Sequence, residues 1–294
     1  MAEICLGSAQ IGMDYGIANE TGRPTKKNSL EIVKYAIDNG IKYIDTAQSY
    51  GLSEKILGDS MEIIKNKKLI RFISKLSPNI DCSNEELIID SVFSSLSNLK
   101  IDSLYGFLAH RPKTFKNESF VSAMKFLKKN KKIIKSGVSI YTPQEALDAI
   151  ESPIIDILQI PINLLDRRWI DQKIIEKAHQ KNIQLFFRSI FLQGLVFLDN
   201  SGLEKRNMAW AKQYIEKLHK LVSKTKLSIA ELSICSLSNI KGNNVIILGV
   251  DNINQLKNNI NVINSFDPNN FIADKWWDNL PKFPERLLNP MLWN

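Results

Sequence analysis

Short apolar runs alternate with segments of helical periodicity along the whole chain, and this alternation restricts the fold more than any other feature of the sequence. The runs occupy residues 4–8, 41–45, 70–75, 103–109, 134–139, 155–160, 183–188 and 245–249. Each is brief, rich in β-branched residues and closed by a polar or glycine-containing turn, as expected of parallel strands buried on both faces. Between them, Leu30, Val33 and Ile37 lie on one helical face and Asn39-Gly40 supplies a stop. Ser83 or Asn84 caps a helix through Leu87, Val92 and Leu96, and Thr142-Pro143 with Glu145 opens another. Ser228 precedes a further helical run through Ile229, Leu232 and Leu237.

An alternating pattern implies an α/β fold with a parallel sheet, either a closed barrel or a doubly wound open sheet. The phosphate fingerprints of open sheets are missing. None of the 13 glycines lies two residues from another, so GxGxxG cannot occur, and no GxxxxGK[ST] is present. The expectation is therefore a (β/α)8 TIM barrel, a single domain over residues 1–294, with its chemistry at the C-terminal ends of the strands. The 44% of apolar residues supports a core of that size without a disulfide or metal staple. The tail from Phe266 onward, with four prolines and Trp276, Trp277 and Trp293, reads as an irregular cover over the barrel mouth. Trp276 and Trp277 read first as packing residues, with a place against the substrate as the alternative.

Cys5, Cys82 and Cys235 are odd in number and far apart, which argues against a disulfide framework and against a zinc cluster; no metal is expected. The first residues, MAEICLGSAQIG, lack a basic segment followed by an apolar one, and no apolar run approaches a membrane span. The expected location is the cytoplasm, with no membrane partner. The net charge of +8 raises the question of a polyanion. The lysines are dispersed, and the densest run (Lys128, Lys129, Lys131, Lys132, Lys135) falls at a helix end, where cations suit the macrodipole. It lacks interleaved aromatics for base stacking, so no nucleic-acid partner is expected.

Polar residues at strand ends form a coherent set. The second strand ends in Asp45, with Tyr50 shortly after; the third ends in Lys75; the fourth is followed by His110. Successive barrel strands are neighbours, so these four should meet at one mouth. A tyrosine is a weak acid at neutral pH, and a nearby ammonium lowers its pKa by favouring the phenolate. A carboxylate keeps a buried lysine charged, and a histidine can donate to a substrate oxygen. Together they make a proton donor aimed at a carbonyl, and they lack only an electron source, which calls for a bound hydride carrier. Singly, each has a plainer role: a cap for Asp45, packing for Tyr50, a structural pair for Lys75, a satisfied core position for His110.

The segment DTAQSYGLSEKILG at 45–58, with SKL and AHRP downstream, resembles the signature of the aldo-keto reductase family. GVSIY at 137–141, QIPINLLDRR at 159–168 and ILGVDNINQLKNNI at 247–260 match further blocks in the same order, so the resemblance covers nearly the whole chain. It implies reduction of an aldehyde or ketone, including sugar-derived ones, by hydride from a nicotinamide cofactor. Tyr50 would be the general acid, tuned by Lys75 and Asp45, with His110 orienting the carbonyl. Physiological oxidation of a sugar or alcohol, and a non-catalytic nicotinamide-binding sensor, are the other readings. Ser139 and Gln159 would hold the carboxamide. Residues 189–195, with Ser189, Gln193 and Gly194, would follow the pyrophosphate. Gly249, Val250, Asp251, Gln255, Asn258 and Asn259 would take the adenosine end, where a helix start offers N–H groups to anions.

The chain departs from the family pattern in places. Ile140 replaces an asparagine, and Arg188 stands where an aromatic ring often meets the nicotinamide; its planar guanidinium could stack there, or form a structural salt bridge. Contacts to a 2′-phosphate are not evident around Val250, Asp251 and Gln255, although Lys257 is near. The resemblance favours NADP(H), and these residues leave NAD(H) open. The partner is a small-molecule carbonyl substrate, selected by loops at 12–27, 111–120 and 192–207 and by the tail. Such barrels can act as monomers, and nothing in the sequence demands more.

Overall fold

The eight apolar runs form the strands β1 (Glu3–Gly7), β2 (Tyr43–Asp45), β3 (Arg71–Lys75), β4 (Leu104–Ala109), β5 (Ile133–Ser139), β6 (Ile157–Pro161), β7 (Gln184–Arg188) and β8 (Asn244–Gly249). In the computed structural model, which describes residues 2–64, 67–265, 267, 275–278 and 280–293, each strand pairs in parallel with the next. β1 pairs with β8 through Glu3↔Val245 to Gly7↔Gly249, so the sheet closes into the expected barrel. The second strand is shorter than its apolar run because the Ile41 N–H bonds to the Ala36 carbonyl, closing the preceding helix instead of entering the ladder.

Several helices begin where a capping residue places them. Thr25 accepts from the Asn28 N–H to start Lys26–Asp38, which stops at Gly40 in a left-handed conformation (φ 86°). Of the two cap candidates for Glu85–Leu99, Asn84 fills the position. Thr142 with Glu145 and Ser228 with Glu231 each form a reciprocal capping box, at Pro143–Ile150 and Ile229–Ser238. No helix among the described residues is long and apolar enough to cross a membrane.

Burial follows the two-residue period of the strands. One parity (Cys5, Tyr43, Ile73, Leu108, Ile157, Phe186, Val245, Ile247) fills the barrel interior. The other (among them Leu6, Ile44, Phe72, Phe107, Leu158, Phe187 and Ile246) packs outward under the helices. A further cluster joins Leu164, Leu165, Leu192 and Leu195 to Leu218 and Leu232 and to Leu287 and Leu288 of the tail. The tail is pinned there: the Trp276 indole donates to the Leu164 carbonyl at 2.8 Å, and Arg167 donates to the Leu280 carbonyl at 2.7 Å. Trp277 is buried in the main core, so both tryptophans pack. Phe266 and residues 268–274, which the sequence assigns to the same cover, lie outside the described residues.

On β5 the interior parity falls on Gly137. A Cβ there would stand 2.2 Å from the Ile157 carbonyl oxygen and 2.7 Å from Leu108, so a larger residue forces β5 and β6 apart. Gly137→Ala should cost about 1–3 kcal/mol, the usual penalty of overpacking a filled interior, and chemical denaturation should show it as a lower midpoint at unchanged slope.

Candidate active site

The strand parity that fills the interior also builds the site. Two residues beyond Tyr43, Ile73, Leu108, Gly137, Ile157, Phe186 and Ile247, the same face presents Asp45, Lys75, His110, Ser139, Gln159, Arg188 and Gly249. These stand at or just beyond the C-terminal strand ends, at a cavity of about 770 Å³ that Lys75 and Gln159, both buried, do not themselves line. Asp45, Tyr50, His110, Ser139, Arg188, Ser189, Gln193, Gly194, Gly249, Asp251, Gln255, Asn258 and Asn259 all line it. Val250 does not: its side chain packs in the core, so any part it takes at that rim runs through its backbone.

Lys75 is 1% exposed and Asp45 4%. The ammonium donates to Asp45 Oδ1 at 2.9 Å and Oδ2 at 2.7 Å, to the Thr46 carbonyl at 2.8 Å and to the Tyr50 phenol at 3.3 Å. Two charges buried this deeply are tolerable only when paired and hydrogen-bonded, and here they are. Tyr50 reaches this pair from a turn rather than a strand. Its N–H bonds to the Ala47 carbonyl, and its own carbonyl accepts from Ser53 N. Gly12 packs beneath: a Cβ on it would fall 1.8 Å from the Tyr50 carbonyl oxygen.

The phenol of Tyr50 differs from expectation. Burial and the Asp45 carboxylate both oppose a phenolate and push its pKa well above 10, with the Arg188 charge acting the other way. Lys75 is near enough to favour the phenolate, but its charge is shared with both oxygens of Asp45. The phenol thus keeps its proton throughout the physiological range. The imidazole of His110 is pushed down to about 3 by burial, with the Lys75, Arg188 and Arg111 charges adding to it. It is neutral at physiological pH, its Nδ1 is 3.2 Å from Ser49 Oγ, and its ring meets Tyr50 edge-on at 5.9 Å.

Ser139 and Gln159 are direct register partners on β5 and β6. Gln159 donates to Asp45 Oδ1 at 2.6 Å, while its buried Oε1 has no partner among the described residues. Arg188 donates to Ser139 Oγ (3.2 Å), Ser189 Oγ (3.3 Å) and the Ile140 carbonyl (2.8 Å), and lies 4.7 Å from the Tyr141 ring centroid. After β7 the backbone is left-handed at Ser189 and then at Leu192, Gln193 and Gly194 in succession. Such strain in non-glycine residues collects at functional sites. At the far end, the helix start at Ile253–Asn264 is already capped: Asn252 Oδ1 takes the N–H groups of Asn254 and Gln255, and Gln255 Oε1 takes that of Asp251. The N–H groups of Asn254 and Gln255 are thus taken by the chain itself.

Tyr15, Tyr141, Gln10, Phe197, Pro290 and Met291 also line the cavity without having been singled out from the sequence. Tyr15, Phe197, Pro290 and Met291 fall in the loops 12–27 and 192–207 and the tail, which the sequence assigns to substrate selection, whereas no residue of 111–120 lines the cavity. The LLDRR block has a structural role instead. Buried Asp166 accepts from both Arg168 and the Trp169 indole, and Arg167 pairs with Asp171.

A sequence model of the aldo/keto reductase family matches residues 3–271. The chain is 25% identical to the aldo-keto reductase YhdN of Bacillus subtilis (strain 168), over 67% of this chain and 62% of that protein. It is 29% identical to the NADPH-dependent codeinone reductase 1-3 of Papaver somniferum, over 42% of this chain and 39% of that one. Both alignments thus reach less than two thirds of the relative's own length. Among solved structures, the holo form of the aldo-keto reductase AKR11C1 from Bacillus halodurans shares the fold, with a TM-score of 0.75 at 17% identity over 99% of this chain and 95% of that one.

Two outcomes test the site's electrostatics. Lys75→Met strands the Asp45 carboxylate in the barrel and should destabilise the protein by about 3–5 kcal/mol, read by chemical denaturation. The sequence has three histidines. The imidazole resonance that disappears in His110→Asn should be one that stays neutral at pH 5. An unfolded histidine binds its proton near 6.5, so this group lowers stability as the pH falls from there toward about 3.

Proposed function

The chain belongs to the aldo/keto reductase family, and on that premise we propose that it reduces a small polar aldehyde or ketone, sugar-derived ones included, to the alcohol. The observation that carries this reading is the Asp45–Lys75–Tyr50 chain, a protonated phenol anchored on a buried ion pair at the wall of a cavity. Tyr50 gives its proton to the substrate oxygen as negative charge develops there. Lys75, fixed by Asp45 and Thr46, then stabilises the phenolate left behind. Neutral His110 holds the oxygen by a hydrogen bond, a role that an N–H donor without net charge fills at any pH in the working range. Tyr15, Tyr141 and Arg188 give that end of the cavity hydroxyl and guanidinium groups, which suits a hydroxylated carbonyl compound better than an apolar one.

The side chains present fit a nicotinamide dinucleotide. Gln159 Oε1 is a buried acceptor with no partner, and the Ser139 hydroxyl beside it has a proton to donate. A carboxamide needs one acceptor and one donor, which this pair offers. Ser189, Gln193 and Gly194 would lie along the pyrophosphate, and Gly249, Asp251, Gln255, Asn258 and Asn259 around the adenosine. When bound, the dinucleotide supplies the hydride that the carbonyl carbon receives. The NADPH dependence in the codeinone reductase's name supports NADP(H). A second reading, NAD(H), is favoured by Asp251, a carboxylate in the wall next to an already capped helix start.

Tyr50→Phe should lower turnover by about 10²–10⁴-fold, the usual scale of a lost general acid, and leave cofactor affinity unchanged. Reduced-cofactor absorbance over a panel of aldehydes and aldoses, paired with cofactor titration, measures both. Near-normal rates would remove Tyr50 from the mechanism. The same titrations with NADPH and NADH decide between the two cofactors.

A further inference from the structure

Arg188 is the only lysine or arginine that lines the cavity among the described residues. None of the ion pairs among those residues includes it. Its guanidinium is partly buried and held in place by three oxygens and the Tyr141 ring. Three of the five N–H groups of a guanidinium are thereby used, all on uncharged oxygens. That charge acts on the reacting end of the cavity, where it disfavours a proton on His110 and favours the phenolate of Tyr50.

Resting on the reading above, a substrate carbonyl must touch Tyr50, and the nicotinamide ring must touch the carbonyl. The carboxamide of that ring falls to Ser139 and Gln159, and Ser139 is bonded to Arg188. The ring is a cation when oxidised and neutral when reduced. A fixed, unpaired cation beside it repels only the oxidised form, whereas any attraction it has for the phosphates is common to both. The geometry points to Arg188 as the group that makes this cavity hold the reduced dinucleotide more tightly than the oxidised one, biasing the site toward loading with the reduced form and release of the spent cofactor.

The expected preference is about tenfold, the scale of one charge–charge contact at a partly solvated site. For a two-electron couple, a tenfold ratio raises the potential of the bound cofactor by about 30 mV. Calorimetric titration of the full chain with NADPH, NADP+, NADH and NAD+ reads the ratio without any substrate. Wild type should hold the reduced member of at least one pair about tenfold tighter. Arg188→Gln, which keeps hydrogen-bonding capacity without the charge, should bring the ratio to within about twofold. Arg188→Lys should retain it. Equal affinity for both forms in wild type overturns the inference, as does a Gln variant that loses both forms alike with the ratio intact, since that marks a phosphate contact. Failure of wild type to bind any of the four overturns the oxidoreductase reading itself.

Discussion

A closed parallel barrel gives every strand one inward face, and everything at this site follows from which residues fall on it. Side chains alternate with a period of two, so fixing Tyr43, Ile73, Leu108, Ile157 and Phe186 inside also fixes Asp45, Lys75, His110, Gln159 and Arg188 inside, one layer nearer the mouth. The lower layer is apolar and filled. The upper layer is polar and opens on the cavity. A one-residue slip in any strand would bury a helix-facing residue in the barrel and send its site residue outward.

The upper layer is costly to build, and the chain offsets that cost locally. Lys75 and Asp45 neutralise each other, and Thr46, Tyr50 and Gln159 take up most of their remaining hydrogen-bonding capacity. What is left unsatisfied is informative. The Gln159 Oε1 acceptor and the Arg188 charge, both on the cofactor side of the proposed site, lack partners among the described residues that a dinucleotide and its environment can supply. Left-handed backbone at Ser189 and Gln193 lies along the same wall. The Asp45–Lys75–Tyr50 side, by contrast, is hydrogen-bonded within the protein itself.

Charge state was the point at which reasoning from neighbours in sequence went astray. An ammonium beside a tyrosine predicts a lowered pKa, and the phenol's is raised. The reason is that Asp45 is closer to Lys75 than Tyr50 is, and that the barrel excludes the water a phenolate needs. The reversal comes from competition between partners, which no single motif reports.

The sequence by itself determined the eight strands, the barrel and the four residues that converge beside the cavity, because strand period and capping chemistry are local and a strand end has only one place to be in such a fold. The tertiary structure alone decided which side chains of the expected loops and tail wall the cavity, bringing Tyr15, Pro290 and Met291 to the same space as Tyr50 and leaving residues 111–120 out of its lining. It also decided that Trp276 and Trp277 pack, that the LLDRR block holds itself together through Asp166, and that Arg188 keeps an unpaired charge. Those outcomes depend on distances between segments far apart in sequence, and distances of that kind carry no periodicity to read.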